Sequence, residues 1–106
     1  SASQSLIAGQ VLDAYPFARH RRLLDVGGGD GSFAAAVAER APRLAIDVFD
    51  LPSVAGHARR RLEALGLASR VAVHGGSFLG DPLPQGADLV TLVRVVHDHD
   101  DAQVRR

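Results

Sequence analysis

Four glycines stand where a short apolar run meets a helical pattern near the start of this chain. The run covers residues 21–26, the glycines are Gly27, Gly28, Gly29 and Gly31, and residues 32–41 then place Phe, Ala and Val at helical spacing. Without side chains at this junction, the main chain adopts positive φ easily and a ligand can approach it closely. The pattern therefore predicts a buried strand, a tight loop and a helix whose unpaired N–H groups face a ligand.

The glycine spacing separates two classes of nucleotide cofactor. A dinucleotide fingerprint, G-x-G-x-x-G, needs glycine or alanine at position 32, where this chain has Ser32. Glycines instead occupy positions 27, 29 and 31 and follow Asp25. This arrangement resembles the first motif of the class I methyltransferases, which implies S-adenosylmethionine (SAM) as the cofactor. On this motif alone, a strand-to-helix connection without a ligand stays open as the alternative.

Composition limits the size and class of the chain. Its 106 residues suffice for one domain but are few for a complete α/β enzyme, and it lacks methionine even at position 1, so we expect a piece of a longer protein. The absence of cysteine excludes a disulfide framework and suits a cytoplasmic protein. Twelve basic residues balance twelve acidic ones, which argues against a nucleic-acid partner. No membrane-spanning run or signal peptide is visible in the sequence.

Helix and strand patterns alternate along the chain. Helices are predicted at 3–14, 32–41 and 52–65, and strands at 22–26, 43–49, 70–74 and 87–93. Such alternation predicts an α/β fold, with a mostly parallel sheet of about four strands covered on both faces. Open sheets of this kind bind ligands beyond the carboxyl ends of their strands, where Asp25, Asp50 and the His/Asp cluster at 97–101 all fall.

Asp50 is the predicted ribose ligand. It follows the second strand, and an ionised carboxylate accepts hydrogen bonds from two vicinal hydroxyls. The alternative is an N-cap for the helix that begins near Pro52. Asp47, inside the strand, is expected to face laterally or towards an edge.

The remaining polar clusters predict no further site. The run Arg59-Arg60-Arg61 is interpreted as a solvated helix face, and His20 and His57 are expected on the surface. His99, Asp100 and Asp101 have the chemistry of metal ligands, but no upstream residues complete a set, so no metal site is predicted.

Four segments together resemble the SAM-dependent O-methyltransferases of small hydroxylated molecules, a family with plant caffeate enzymes and bacterial antibiotic and carotenoid enzymes. They are residues 25–31 (DVGGGDG), 49–52 (FDLP), 75–78 (GGSF) and 94–98 (RVVHD). The stretch 92–101 is most similar to the bacterial enzymes that methylate hydroxyneurosporene or demethylspheroidene. The resemblance implies that residues 1–106 form a Rossmann-like SAM-binding core, with a dimerisation domain before it and further strands after it. It also implies a homodimer and a small-molecule acceptor.

The resemblance also implies roles for individual residues. The implied cofactor-binding positions are Asp25, Gly27, Gly29, Asp50, Leu51, Ser77 and Phe78. The glycines would contact the methionine part of SAM, Asp50 the ribose, and Leu51 the adenine. Ser77 and Phe78 depart from the aspartate and methionine that many relatives carry there.

His97 matches the histidine that this family uses as a general base. Methyl transfer from a sulfonium is an in-line displacement, so the enzyme mainly aligns the acceptor oxygen and removes its proton. An imidazole, with an unperturbed pKa of about 6.5, is partly neutral near pH 7 and suits that task. A loop histidine flanking the next helix is the alternative, and Asp98 is not assigned as its partner, because family members take that carboxylate from a later segment.

Other functions stay open at this point. The acceptor is a carotenoid or, alternatively, a phenol or polyketide. An NAD-dependent oxidoreductase of the same fold is disfavoured by Ser32 and by the context of His97. A non-catalytic nucleotide-binding module is disfavoured by the intact His97. The chain by itself is expected to be inactive.

Overall fold

The computed structural model describes residue 12 and residues 14–77, 79–92 and 95–98, the last four as backbone only. Most of the helix predicted at 3–14, and also Phe78, Val93, His99 and residues 100–106, lie outside the described residues.

Within these ranges, two α-helices and five strands follow a short 3₁₀ helix, Phe17–Arg19. The strands are β1 (Arg22–Val26), β2 (Ala45–Asp50), β3 (Val71–Gly75), β4 (Leu89–Leu92) and β5 (Val95–Asp98), and the helices are α1 (Ser32–Arg40) and α2 (Pro52–Ala64). The predicted alternation is confirmed, with ends shifted by one or two residues.

The strands form a single sheet in the order β3-β2-β1-β4-β5, and β1 to β4 are parallel. The chain moves outward from β1 to β3 and then returns to place β4 on the other side of β1. Connections therefore leave β1 and β4 in opposite directions, and open α/β sheets bind their ligands beyond the carboxyl ends of two such strands. Asp25 in β1 pairs in register with Val48 of β2 on one side and with Thr91 of β4 on the other.

The fifth strand differs from the sequence-based expectation. Residues 97 and 98 were expected in a loop beyond the fourth strand, but β5 runs back antiparallel to β4 and pairs His97 with Val90. Val95 and Val96 are β-branched and favour an extended conformation, and the edge of β4 offers them hydrogen-bonding groups. The sheet thus has an antiparallel edge strand besides the four parallel strands that were predicted.

The two described helices pack on the same face of the sheet. Their buried residues, including Phe33, Val37 and Leu62, join Leu23 and Val48 of the strands in one apolar core. The opposite face carries a smaller cluster of Leu24, Val26 and Phe49. Helical cover on both faces, as predicted, is therefore not seen within the described part of the chain.

Candidate cofactor site

The loop between β1 and α1 has the conformation that its glycines predict. Gly27, Gly29 and Gly31 have φ values of 72°, 62° and 85°, in the region that other residues rarely adopt. Gly31 lies just before α1, and a side chain there would also press on Leu62 at 3.2 Å. Three positions of the motif thus require glycine for backbone reasons.

Gly28 requires glycine for a different reason, the contact of the loop with the strands beneath it. A Cβ atom at Gly28 would lie 2.7 Å from Val48 Cγ1 and 2.8 Å from Asp25 Oδ2. Asp25 is only 1% exposed, and its Oδ1 accepts a hydrogen bond from the Thr91 hydroxyl at 2.7 Å. A buried carboxylate therefore lies directly under the loop.

A second carboxylate lies beside the loop. Asp50, 9% exposed, accepts hydrogen bonds from the N–H of Gly29 at 2.9 Å and from the N–H of Leu51 at 2.7 Å. The N-cap of α2 is Leu51, without a side-chain hydrogen bond, so the N-cap interpretation of Asp50 is wrong. Pro52, at the first turn, needs no N–H partner there. Asp50 instead joins the end of β2 to the glycine loop.

Several N–H groups of the loop already have acceptors within the protein. Gly27 donates to the Phe49 carbonyl at 2.8 Å and Gly31 to the Gly28 carbonyl at 3.2 Å. Ser32 donates to Asp30 Oδ1 at 3.0 Å, so the expectation of unpaired N–H groups at the helix start is wrong for Ser32. With carboxylates nearby and these donors engaged, the loop is better suited to a cationic ligand than to a diphosphate.

The segment after β3 lies at the same edge of the sheet. The Gly76 N–H donates to the Asp50 carbonyl at 3.1 Å, which holds residues 75–77 beside Asp50. The Ser77 N–H donates to Asp81 Oδ2 at 2.7 Å, and its hydroxyl accepts the Leu79 N–H at 3.2 Å. Leu51 is 46% exposed there and offers an apolar surface. The structure thus brings together every predicted cofactor-binding residue that it describes.

His97 is separate from this group at the level of the backbone. It pairs with Val90, two residues before the carboxyl end of β4, while Val95 pairs with Leu92 at that end. Its role as a base remains a prediction.

An ion-pair cluster around a buried carboxylate on the second sheet face was not predicted from the sequence. Asp47, 2% exposed, accepts hydrogen bonds from Arg22 Nε at 2.7 Å and from His74 Nε2 at 3.0 Å. Burial raises the pKa of the Asp47 carboxyl, but the hydrogen bonds and charges of Arg22 and His74 outweigh burial and hold the pKa below its usual value. Asp47 was expected to face laterally or towards an edge, but it lies in an inner strand of the sheet, where it is buried and pairs with Arg22 of β1 and His74 of β3.

The expectation of a surface position holds for His57 and is wrong for His20. His57 is exposed on α2. His20 is partly buried at the amino edge of the sheet, where Tyr15 Oη lies 2.7 Å from its Nε2 and Asp88 Oδ2 3.3 Å from its Nδ1. It therefore links the segment before β1 to the start of β4.

The described ranges contain no group of three His, Asp or Glu side chains suited to a metal ion. Among the same residues, no helix is both long and apolar enough to span a membrane.

Together, the strand order, the glycine loop and the acidic residue at the end of β2 define a core of the class I methyltransferase type. Solved structures support this class. A mitomycin 7-O-methyltransferase matches 87% of this chain and 26% of its own, with a TM-score of 0.78 and 39% identity. An O-methyltransferase from neocarzinostatin biosynthesis, solved with S-adenosylmethionine and 2-hydroxy-5-methyl naphthoic acid, matches with a TM-score of 0.68 and 34% identity over 80% of this chain and 28% of its own.

The family of O-methyltransferase domains matches residues 1–106, and the chain belongs to this family. Demethylspheroidene O-methyltransferase of Cereibacter sphaeroides is 52% identical over 103 residues, which are 97% of this chain and 27% of that protein. The enzyme of the same name from Rhodobacter capsulatus is 43% identical over 102 residues, 96% of this chain and 24% of that protein. Aclacinomycin 10-hydroxylase of Streptomyces purpurascens is 45% identical over 92 residues, 87% of this chain and 24% of that protein. The chain spans about a quarter of the length of these relatives.

Proposed function

We propose that this chain is the SAM-binding core of an O-methyltransferase that methylates a hydroxyl group of a small molecule. The observation that carries the proposal is the glycine loop, held between the buried carboxylates of Asp25 and Asp50. A diphosphate at the loop would lie next to the Asp25 carboxylate beneath Gly28, whereas the methionine part of SAM carries a sulfonium and an ammonium group besides its carboxylate. Coulombic attraction therefore favours SAM over a dinucleotide at this loop.

The chemistry of the individual residues fits SAM. Asp50 already accepts two backbone N–H groups, and an ionised carboxylate has about four lone-pair positions, so it retains acceptors for the two ribose hydroxyls. The exposed Leu51 supplies an apolar surface for adenine next to that ribose contact. Gly27 and Gly29 let the methionine part approach the backbone, and Ser77 with Phe78 would border the adenine.

His97 is the proposed general base. When bound, SAM supplies an activated methyl group to an acceptor oxygen aligned with its methyl–sulfur bond. His97 would accept the proton of the acceptor hydroxyl as the oxygen–carbon bond forms and the methyl carbon–sulfur bond breaks, with S-adenosylhomocysteine as the leaving group. The match of residues 94–98 to the family motif supports this role, and Asp98 is not proposed as its partner.

The proposed acceptor is a carotenoid hydroxyl like that of demethylspheroidene. The support is the name shared by two relatives that are 52% and 43% identical to this chain. A phenol is the runner-up, because antibiotic O-methyltransferases also match. We further propose a homodimer in the cytoplasm, on the resemblance alone.

Calorimetric titration of the full-length protein tests the cofactor. We expect S-adenosylhomocysteine to bind and NAD not to bind. Asp50→Asn should weaken the binding of S-adenosylhomocysteine about tenfold or more, because a charged acceptor is lost. Glu63→Gln is the matched control, since Glu63 is an exposed acid on α2 and should leave affinity unchanged. Binding of NAD alone would overturn the cofactor assignment, and binding of neither would favour a non-catalytic module.

Methyl transfer has to be measured directly, because a relative that is 45% identical is named a hydroxylase. We expect labelled methyl groups of SAM to appear in demethylspheroidene and more weakly, or not at all, in phenols. His97→Ala should lower the rate about 10²- to 10⁴-fold, the usual contribution of a general base, with little effect on S-adenosylhomocysteine binding. A variant with the wild-type rate would remove His97 from this role.

A further inference from the structure

Thr91 is a polar side chain at the centre of an otherwise apolar strand. It is fully buried, at 0% exposure, and its hydroxyl donates to Asp25 Oδ1 at 2.7 Å. The two residues are register partners in the neighbouring strands β1 and β4. Their hydrogen bond therefore crosses the sheet directly below the point where a ligand is expected.

The other oxygen of Asp25 faces the glycine loop. A Cβ atom at Gly28 would lie 2.8 Å from Asp25 Oδ2, so the loop backbone rests on this oxygen. Rotation of the carboxylate would move that oxygen away from Gly28 or into it. The hydroxyl of Thr91 opposes such rotation by holding Oδ1.

The surroundings of this polar pair are apolar. Leu23 and Leu89, on the same two strands, are both fully buried and apolar. Apolar residues of similar size often replace a buried polar pair without loss of stability, because burying a carboxylate is itself unfavourable. A contribution to ligand binding accounts for the charge at this position.

We infer that Thr91 is a positioning residue that fixes the Asp25 carboxylate under Gly28, where its negative charge favours the ammonium-bearing methionine part of the cofactor. The inference rests on the proposed function, because it takes SAM as the ligand. Thr91 itself does not touch the cofactor. Charge acts efficiently here because the carboxylate is shielded from water, so its field at the loop is screened little.

Two probes separate positioning from general damage to the fold. S-adenosylhomocysteine and 5′-methylthioadenosine share the adenosine and the thioether sulfur, but only the former carries the ammonium group. In the full-length protein, Thr91→Val should raise the Kd of S-adenosylhomocysteine about tenfold and change that of 5′-methylthioadenosine less than about twofold. Thr91→Ser keeps the hydroxyl and should restore S-adenosylhomocysteine binding to within about twofold of wild type.

Asp25→Asn provides a second variant, with the same selective loss expected, should the valine variant not fold. Equal weakening of both probes, or no weakening of either, would overturn the role of Thr91 while the proposed cofactor stands. If the unaltered protein does not bind S-adenosylhomocysteine, the proposed function fails, and the role of Thr91 fails with it.

Discussion

The glycine loop has no room for a side chain at Gly28. Replacing its side-chain hydrogen with a methyl group puts a carbon 2.7 Å from Val48 Cγ1 and 2.8 Å from Asp25 Oδ2, and both partners are buried. We expect Gly28→Ala to lower the free energy of unfolding by about 1–3 kcal/mol, the usual range for overpacking, and to weaken S-adenosylhomocysteine binding. Urea denaturation and calorimetry measure the two effects.

Gly80→Ala is the matched control for that substitution. No heavy atom lies within 4 Å of a Cβ built at Gly80. Its unfolding free energy and its ligand affinity should stay within about 0.5 kcal/mol of wild type. Equal losses in the two variants would show that the contacts beneath Gly28 do not matter.

Asp47 gives the protein a dependence of stability on acid pH. Because Arg22 and His74 hold the folded-state pKa of Asp47 below its unfolded value, ionised Asp47 contributes stability above about pH 4. That contribution is lost as the pH falls through the lower, folded-state pKa. We expect Asp47→Asn to lower the free energy of unfolding by about 1–2 kcal/mol at pH 7. The loss is kept small because Arg22 is partly exposed and solvent screens its interaction with Asp47.

The same variant should flatten the pH profile. Between about pH 4 and pH 2, the unfolding free energy of Asp47→Asn should fall less steeply than that of wild type in urea titrations. Glu39→Gln, at an exposed position of α1, should leave the slope as it is. A slope for Asp47→Asn equal to that of wild type contradicts the assigned pKa shift.

At the scale of elements, Arg70 joins the end of α1 to the start of β2. Its guanidinium donates to the carbonyls of Ala38 at 3.3 Å, Ala41 at 3.0 Å and Leu44 at 3.1 Å. Carbonyls at a helix C-terminus lack intrahelical partners and carry partial negative charge, so a forked cation is suited to them. We expect Arg70→Met to lower the unfolding free energy by about 1–3 kcal/mol.

Arg70→Lys should recover only part of that loss, because an ammonium group lacks the planar fork that spans three carbonyls. Arg43→Met, at an exposed position in the same connection, should have an effect within about 0.5 kcal/mol. Chemical denaturation of the three variants compares them. Full recovery by lysine would show that charge alone, without the fork geometry, stabilises the connection.

Sequence patterns predicted the helices and strands whose formation depends on neighbouring residues. The strand-loop-helix unit at 22–40 follows from glycine conformation and apolar periodicity, and both are properties of neighbouring residues. Whether residues 95–98 form a strand depended instead on whether the edge of β4 was available for pairing. Short β-branched segments such as Val95-Val96 do not decide that question by themselves.

Residues of the candidate site were predicted where their position along the backbone was enough to place them. Contacts were missed where the two side chains are far apart in the sequence. Asp50 was assigned correctly to the carboxyl edge because it directly follows the strand predicted at 43–49. The Thr91–Asp25 hydrogen bond joins residues 66 apart and the Arg22–Asp47 pair residues 25 apart, and no local pattern specifies such contacts. A lone threonine within the apolar run 89–92 was the only sequence signal for Thr91.

At the scale of the whole molecule, the polar clusters occupy opposite edges of the sheet. Asp50 and the glycine loop lie at the carboxyl edge, whereas Asp88 accepts the N–H groups of Arg21 and Arg22 at the amino edge. A ligand that binds only the folded site stabilises the elements that must open to release it. Binding should therefore protect one edge selectively.

Hydrogen exchange of the full-length protein tests this separation. With S-adenosylhomocysteine at about 100 times its Kd, amides of the loop at 27–31 that exchange by opening of the site should slow up to about 100-fold, equivalent to about 2.7 kcal/mol. The amides of Arg21, Arg22 and Asp88 should slow much less, because their exchange does not require the carboxyl edge to open. Asp50→Asn should reduce the protection in proportion to its loss of affinity at the same ligand concentration. Uniform slowing at both edges would instead mean that these amides exchange only through global unfolding, and the two edges would then form one cooperative unit.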